Sequence, residues 1–327
     1  MTFAHDSLAV NAKGGTELMK FALQEHVPSD LLDEFQIYVS RVEEPLDESK
    51  VRIYWLQDLP DDPAAAHLAN GGWNNFHKLV FASNWQMQAF INKFNIPWSK
   101  CIVLHKCITP IPTHEKPKDK IRLAYWSTPH RGLNILVPVF DALTKKHDNI
   151  ELDVFSSFKL YGWEERDQPY QELFKACEEH PLINYHGSIP NEDLKKALEN
   201  VHILAYPSTW IETSCITLME AMSAGLLCVH PNLGALYETA GNWTNMYQWD
   251  EDVNRHANLF YQVLDDAIMS YNDEGTQSRL NSQKAYANVF YNWNVRSYQW
   301  EALLRSLVDQ PRELPKSSGE FFHYKTL

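Results

Sequence analysis

The chain has 327 residues, 44% hydrophobic and 22% charged, which suits two ordinary globular domains. Lysine and arginine number 29 against 42 acids; the formal charge of −13 repels phosphate backbones and excludes nucleic acid as a partner unless a local basic patch exists. Five cysteines without framework spacing point to reduced thiols in a cytosol-like compartment, and no apolar run approaches the roughly 20 residues of a transmembrane segment.

MTFAHDSLAV, residues 1–10, lacks the basic and long apolar regions of a secretory signal and reads as a short first strand. NAKGGTELMKFALQEHVP follows as a glycine pair and a helix, with Leu18, Phe21, Ala22 and Glu25 at helical spacing. Gly14 and Gly15 let the backbone approach a ligand closely, and the helix after them turns its amides towards an anion. The spacing is not G-x-G-x-x-G, so this is no dinucleotide fingerprint. FQIYVSR (35–41) and VRIYWLQ (51–57) read as buried strands. The second stops at Gln57-Asp58-Leu59-Pro60, a carboxyl end of the kind where ligands gather in open α/β sheets.

KLVFASNWQMQAFINKF (78–94) gives a strand, a Ser83-Asn84 cap and an amphipathic helix. CIVLHKCITP is then the last strand of a first domain, residues 1–112. Cys101, His105, Cys107 and His114 lie close together without a C-x-x-C pair, so no metal site is expected there. The proline- and lysine-rich run from Thr109 to Lys120 reads as the linker; its HEKPKDK portion is mixed in sign.

A second domain, residues 113–292, opens with the strand IRLAYWS, then Thr128-Pro129-His130-Arg131-Gly132-Leu133 and a helix from Asn134 to Lys146. Strands at 151–157, 182–188 and 202–208 alternate with helical stretches at 168–179 and 191–199, the pattern of a parallel sheet with right-handed crossovers. AYPSTWIETSCITLMEAMSAGLLCVH (205–230) is a strand–helix–strand unit in which Gly225 suits the helix end. Glu212 falls in its first turn and Glu220 inside its helix. Helices follow near 252–272, 277–291 and 295–309, and residues 310–327 read as a loosely ordered tail. Tyr286, Phe290, Tyr291, Trp293 and Trp300 recur at a spacing that favours core packing over sugar stacking.

Pro207, Ser208, Glu212, Glu220, Ala221, Ala224 and Gly225 fall in one register that resembles the signature of the family-four retaining glycosyltransferases. The resemblance implies an α/β chain of two Rossmann-like domains facing across a cleft, the glycosyltransferase B-type fold, with parallel sheets flanked by helices. It also implies that helix 295–309 crosses back onto the first domain. By the same resemblance Glu212 lies against the donor sugar and Glu220 holds the ribose. Gly14 and Gly15 contact the donor phosphates and face the acceptor, and Gly187, Ser188 and Ile189 pack against the base. Arg131 grips the diphosphate, and the segment Thr213, Ser214, Cys215 and Ile216 adds to the donor site; relatives often have glycines at 213 and 215.

Three further stretches depart from the pattern. A cation expected near Tyr125 or Trp126 is missing, and Lys159 is the substitute that the sequence offers. His105-Lys106-Cys107-Ile108 replaces the usual Asn-Gly-hydrophobic-Asp. Where relatives carry a histidine in the first domain, this chain has Gln57 and Asp58, with His67 further on; which one touches the sugar stays open, as does a plain turn-starting role for Asp58.

The implied activity is a retaining, metal-independent hexosyltransferase of glycan biosynthesis, with Glu212, Arg131 and Asp58 as the catalytic group. Its donor is a GDP- or UDP-linked hexose, with a GDP-hexose such as GDP-mannose slightly favoured, and its acceptor is a hydroxyl on a glycan or glycoconjugate. No cofactor beyond the nucleotide sugar is expected, nor nucleic acid or a membrane span; a homodimer is left open. The rival readings are an inactive nucleotide-sugar-binding protein, a glycoside hydrolase using Glu212 and Asp58, and a DNA-modifying transferase, which the negative charge disfavours.

Overall fold

A computed structural model describes residues 14–42 and 44–314, so the strand expected at residues 1–10 lies outside the described residues. Two parallel sheets organise the chain. The first comprises β1 (Phe35–Val39), β2 (Val51–Trp55), β3 (Lys78–Phe81) and β4 (Cys101–Val103), side by side in chain order. β1 and β2 are almost wholly buried, as expected of parallel strands covered on both faces. α1 (Gly15–His26), α2 (Ser29–Leu32) and α3 (Asn84–Phe94) flank this sheet. Ser83 caps α3 by accepting from the Gln86 amide at 3.0 Å.

The second sheet runs β10-β9-β8-β5-β6-β7, all parallel. Its strands are β5 (Ile121–Trp126), β6 (Ile150–Phe155), β7 (Ile183–Tyr185), β8 (Ile203–Ala205), β9 (Leu227–Pro231) and β10 (Asn245–Tyr247). The helices are α4 (Leu133–Thr144), α5 (Gln171–Glu179), α6 (Asn191–Leu198), α7 (Ile216–Ser223), α8 (Leu236–Ala240), α9 (Val253–Met269) and α10 (Glu274–Phe290). Gly225 follows α7 with φ of 73°, the left-handed conformation that ends a helix at little cost for glycine. Strand order reverses direction between β5 and β8, so the loops leaving these two strands frame the crevice where an open α/β sheet binds ligands.

The last helix, α11 (Trp293–Leu307), packs against α1 and α2 of the first domain. Its Trp300 is fully buried, edge-on to Trp55 of β2 at 4.7 Å between ring centroids. Tyr291 is buried as well, whereas Phe290 is 38% exposed and stacks on Tyr286. The strand read in CIVLHKCITP is only three residues long, because β3 supplies no pairing past Phe81. The chain then crosses to the second domain, where the Ile108 amide donates to Tyr291 O at 2.9 Å. From Thr109 to Lys120 it forms no helix or strand, and no described helix is long and apolar enough to cross a membrane.

Candidate functional site

The β5 and β8 loops touch at a glycine. Gly132 has φ of 109°, and a Cβ there would sit 2.0 Å from the Pro207 carbonyl oxygen, so no other residue fits without moving the backbone. This contact seats Arg131 over the β8 loop, where its Nη1 donates to Glu212 Oε1 at 2.8 Å. Tyr206 donates its hydroxyl to the same oxygen at 2.7 Å. The backbone of Glu212 is pinned from the other side, since its carbonyl accepts from the Ala235 amide at 2.7 Å. Burial pushes the Tyr206 hydroxyl well up, which keeps its proton available to Glu212. Burial opposes the charge of Arg131, but Glu212 and Tyr206 more than offset it and raise the guanidinium further.

A cavity of about 990 Å³ opens above this group, between the two sheets. Its size lies at the upper end of small-ligand pockets. Gly14, Gly15, Gln57, Asp58 and Lys106 border it from the first domain, and Arg131, Glu212, Thr213, Ser214, Cys215, Ile216 and Glu220 from the second. The two walls meet where Thr213 Oγ1 donates to Gln57 O at 2.8 Å. They meet again at Gly14, where a Cβ would lie 2.4 Å from the Tyr161 ring. Among the described residues, several buried polar atoms of the lining have no partner: both amide atoms of Gln57, Thr128 Oγ1, His130 Nδ1 and Arg131 Nε. Buried polar groups are almost always satisfied, so their concentration around one cavity gives it the means to hold a polar ligand.

Most residues singled out in the sequence border this space. Asp58 does, with Ser40 donating its hydroxyl to the carboxylate. His67 does not; its ring leans on Tyr54 and its Nδ1 lies 2.8 Å from Ala64 O. Glu220 looks into the cavity from α7, and burial pushes its carboxyl up to about 7 against the pull of Lys195. Gly187, Ser188 and Ile189 line a smaller hollow of about 60 Å³. Trp126, Ser127, Leu160 and Asn191 border both spaces, so the two are adjacent. Cys215 is buried and its thiol is pushed well up, so it serves as a small apolar wall.

Lys159 needs correcting. It is exposed, pairs with Glu164 at 3.2 Å and stays outside the lining of the cavity. Its place in the sequence, at the carboxyl end of β6, is right for a cleft residue, but the chain turns there into a short 3₁₀ helix, Phe158–Tyr161, that carries the side chain outwards. Two lysines border the cleft, Lys20 at 8% exposed and Lys106 at 7%, and the sequence marked Lys106 only as a departure from a pattern. Tyr206 and His130 were missed altogether; an aromatic at the end of a buried strand gives no signal that its hydroxyl reaches a carboxylate.

The cysteines and histidines near 101–114 go separate ways: His105 to Glu238, His114 to Glu199, and Cys107 to Arg296. The sequence shows no evident Asp-x-Asp metal motif, and the one run of that spacing here, Asp250-Glu251-Asp252, is used otherwise. Asp252 caps α9 by accepting from the Arg255 amide, and Asp250 pairs with the Arg255 guanidinium at 3.1 Å.

Residues 112–274 match a protein family described as "Glycosyl transferases group 1". Among solved structures, a glycosyltransferase from Rickettsia africae ESF-5 superposes with a TM-score of 0.67 at 13% identity, over 95% of this chain and 84% of that one. Anabaena HepE in complex with UDP-glucose gives 0.63 at 14% identity, over 90% and 85%. A trehalose-6-phosphate synthase, studied for enzymatic glycosyltransfer with retention, gives 0.62 at 11%, over 79% and 68%. At these identities the structures share the fold. No curated protein matches the chain.

Proposed function

Residues 112–274 match the glycosyl transferases group 1 family, and from that premise we propose that the protein is a retaining glycosyltransferase. It moves a hexose from a nucleoside-diphosphate sugar to a hydroxyl on a glycan or glycoconjugate. The observation that carries this reading is the Arg131–Glu212–Tyr206 group at the sheet's switch point, set in a cavity lined by buried polar atoms that no described residue satisfies.

In this reading Glu212, fixed by two donors on one oxygen, accepts from hydroxyls of the donor sugar and sets its orientation. Glu220 accepts from the ribose, and the base enters the hollow beside Gly187, Ser188 and Ile189. Arg131, helped by amides at Gly14 and Gly15 and at the start of α7, offsets charge on the diphosphate. The bond between the sugar's anomeric carbon and the diphosphate oxygen breaks, and its electron pair goes to that oxygen. The acceptor oxygen bonds to the same carbon from the same face, and its proton passes to the departing diphosphate. Asp58 and Gln57 border the side from which the acceptor enters.

Retention is supported by the trehalose-6-phosphate synthase that shares the fold, and uridine as the base by the HepE complex with UDP-glucose. Guanosine remains the base to test beside it. A hydrolase would need Glu212 or Asp58 free to donate a proton to a leaving group, and both are already acceptors, Glu212 from Arg131 and Tyr206 and Asp58 from Ser40. Calorimetric titration with a panel of UDP- and GDP-hexoses, then product analysis with and without acceptor, tests the proposal. We expect one nucleotide sugar to bind and transfer to require an acceptor, with the donor's anomeric configuration kept. Full turnover without acceptor, or no binding at all, overturns it.

A further inference from the structure

A diphosphate linked to a sugar carries two negative charges and gains a third as the sugar departs. Arg131 faces that load with its Nη1 already given to Glu212. Of the other cations along the cavity, Arg41 pairs with Asp62 at 3.6 Å, Arg166 lies over the Trp163 ring at 4.1 Å, and Lys20 on α1 interacts electrostatically with Glu17. Lys106 differs from them in acting on Glu212 and Arg131. It follows β4, where the chain leaves the first domain, and only 7% of it is exposed. It borders the same cavity as Arg131 and interacts electrostatically with Glu212, Asp58 and Arg131. A lysine is rarely buried this fully, because its charge loses hydration that only a strong partner restores.

We propose that Lys106 is the second cation of the donor diphosphate site, delivered to it from the first domain. The assignment rests on the transferase reading given above. Glu212, Asp58 and Glu17 are its counter-charges within the protein, and the diphosphate takes their place when it enters. Burial lowers the lysine's proton affinity and the carboxylates of Glu212 and Asp58 only partly offset that, so an entering anion favours its charged form further. Because Arg131 sits on the second domain and Lys106 on the first, a diphosphate between them ties the two walls together.

The test titrates wild type, Lys106→Met and Lys106→Arg with uridine, UMP and UDP, and with the guanosine series. We expect Lys106→Met to weaken the diphosphate by about 10- to 100-fold. It should leave the nucleoside within about twofold, and Lys106→Arg should recover most of the loss, since the contact is to charge. Equal diphosphate affinity in wild type and Lys106→Met overturns the assignment, as does an equal loss for nucleoside and diphosphate, which would mark a structural role. Melting curves without ligand show whether Lys106→Met folds; should it fail to, Lys106→Gln carries the same comparison. A wild type that binds no nucleoside of either series sinks the transferase reading and this assignment with it.

Discussion

Glu238 of the second domain closes the N-terminus of α3 in the first, and its partner there is Asn84. Glu238 Oε1 accepts from both the backbone amide and the side-chain amide of Asn84 at 2.8 Å, while Oε2 accepts from the Trp85 amide at 2.9 Å. His105 Nε2 also lies 2.9 Å from Oε1. A helix start leaves its first amides without partners, and a carboxylate satisfies them and meets the positive end of the helix dipole. Here that carboxylate comes from the other domain, so the cap doubles as a clasp across the cleft.

The clasp predicts a measurable loss. Glu238→Ala should destabilise the chain by about 1–3 kcal/mol, the range for a charge-assisted hydrogen bond. It should also increase the radius of gyration in small-angle scattering, as the domains part. Burial acts to raise the Glu238 carboxyl, but His105 and the α3 amides hold it down at about 2, against an ordinary value of 4.5. A depressed acid stabilises the fold fully above its unfolded value and loses that contribution as pH falls through the folded one. Urea unfolding should therefore show stability dropping between about pH 4.5 and 2 in wild type, and dropping less in Glu238→Gln. Identical pH profiles would show that the clasp adds nothing.

Gly132 offers a sharper structural test. Gly132→Ala forces a Cβ to within 2.0 Å of Pro207 O at a φ of 109°, so the β5 and β8 loops must separate. The backbone strain alone costs about 1–3 kcal/mol. Since Arg131 is the preceding residue, donor binding should fall along with the melting temperature. Gly275 is the control: it lies in the first turn of α10, and a Cβ added there would meet nothing within 4 Å. Gly275→Ala should stabilise by up to about 1 kcal/mol and leave binding unchanged.

Much of this fold could be read from the chain because buried parallel strands are written as short apolar runs, as in VRIYW and IRLAYW. The glutamate pair could be read because its spacing is fixed by one turn and one helix. What stayed hidden depends on contacts between distant parts of the chain. Glu238 meets Asn84 across 154 residues, and nothing local marks it as a cap. Lys106 gains its role from Glu212 and Arg131, far along the sequence, so it registered only as an oddity. The 3₁₀ turns in Pro63–Asn75 and the three-residue edge strand β10 are too short or too irregular to show a period. Lys159 misled for the opposite reason: its strand-end position was informative, and Glu164, five residues on, takes its charge.

Glu212 and its two donors predict a separation between transfer and binding. Glu212→Gln keeps an acceptor for Tyr206 but removes the charge facing Arg131. Turnover should fall by about 100-fold or more if the carboxylate orients the sugar in the transition state. Nucleoside diphosphate affinity, read by calorimetry, should hold or tighten, because Arg131 is released to the phosphates. Parallel losses of turnover and nucleotide affinity would place Glu212 in general binding rather than in the transfer step.

Glu220 makes the site's pH dependence specific. Its carboxyl titrates near 7 because burial penalises the charged form. A raised acid favours folding most below its unfolded value of 4.5, so stability without ligand should decline as pH rises from there towards 7. Ligand binding should run the other way. Ribose hydroxyls donate best to the ionised carboxylate, so nucleoside affinity should strengthen between about pH 6 and 8 and then level off. Glu220→Gln removes the titrating group, and both trends should flatten in that variant. Calorimetry with a nucleoside rather than a nucleotide isolates this effect, because phosphates titrate in the same range. A wild type whose nucleoside affinity is constant from pH 6 to 8 would take the ribose contact away from this carboxylate.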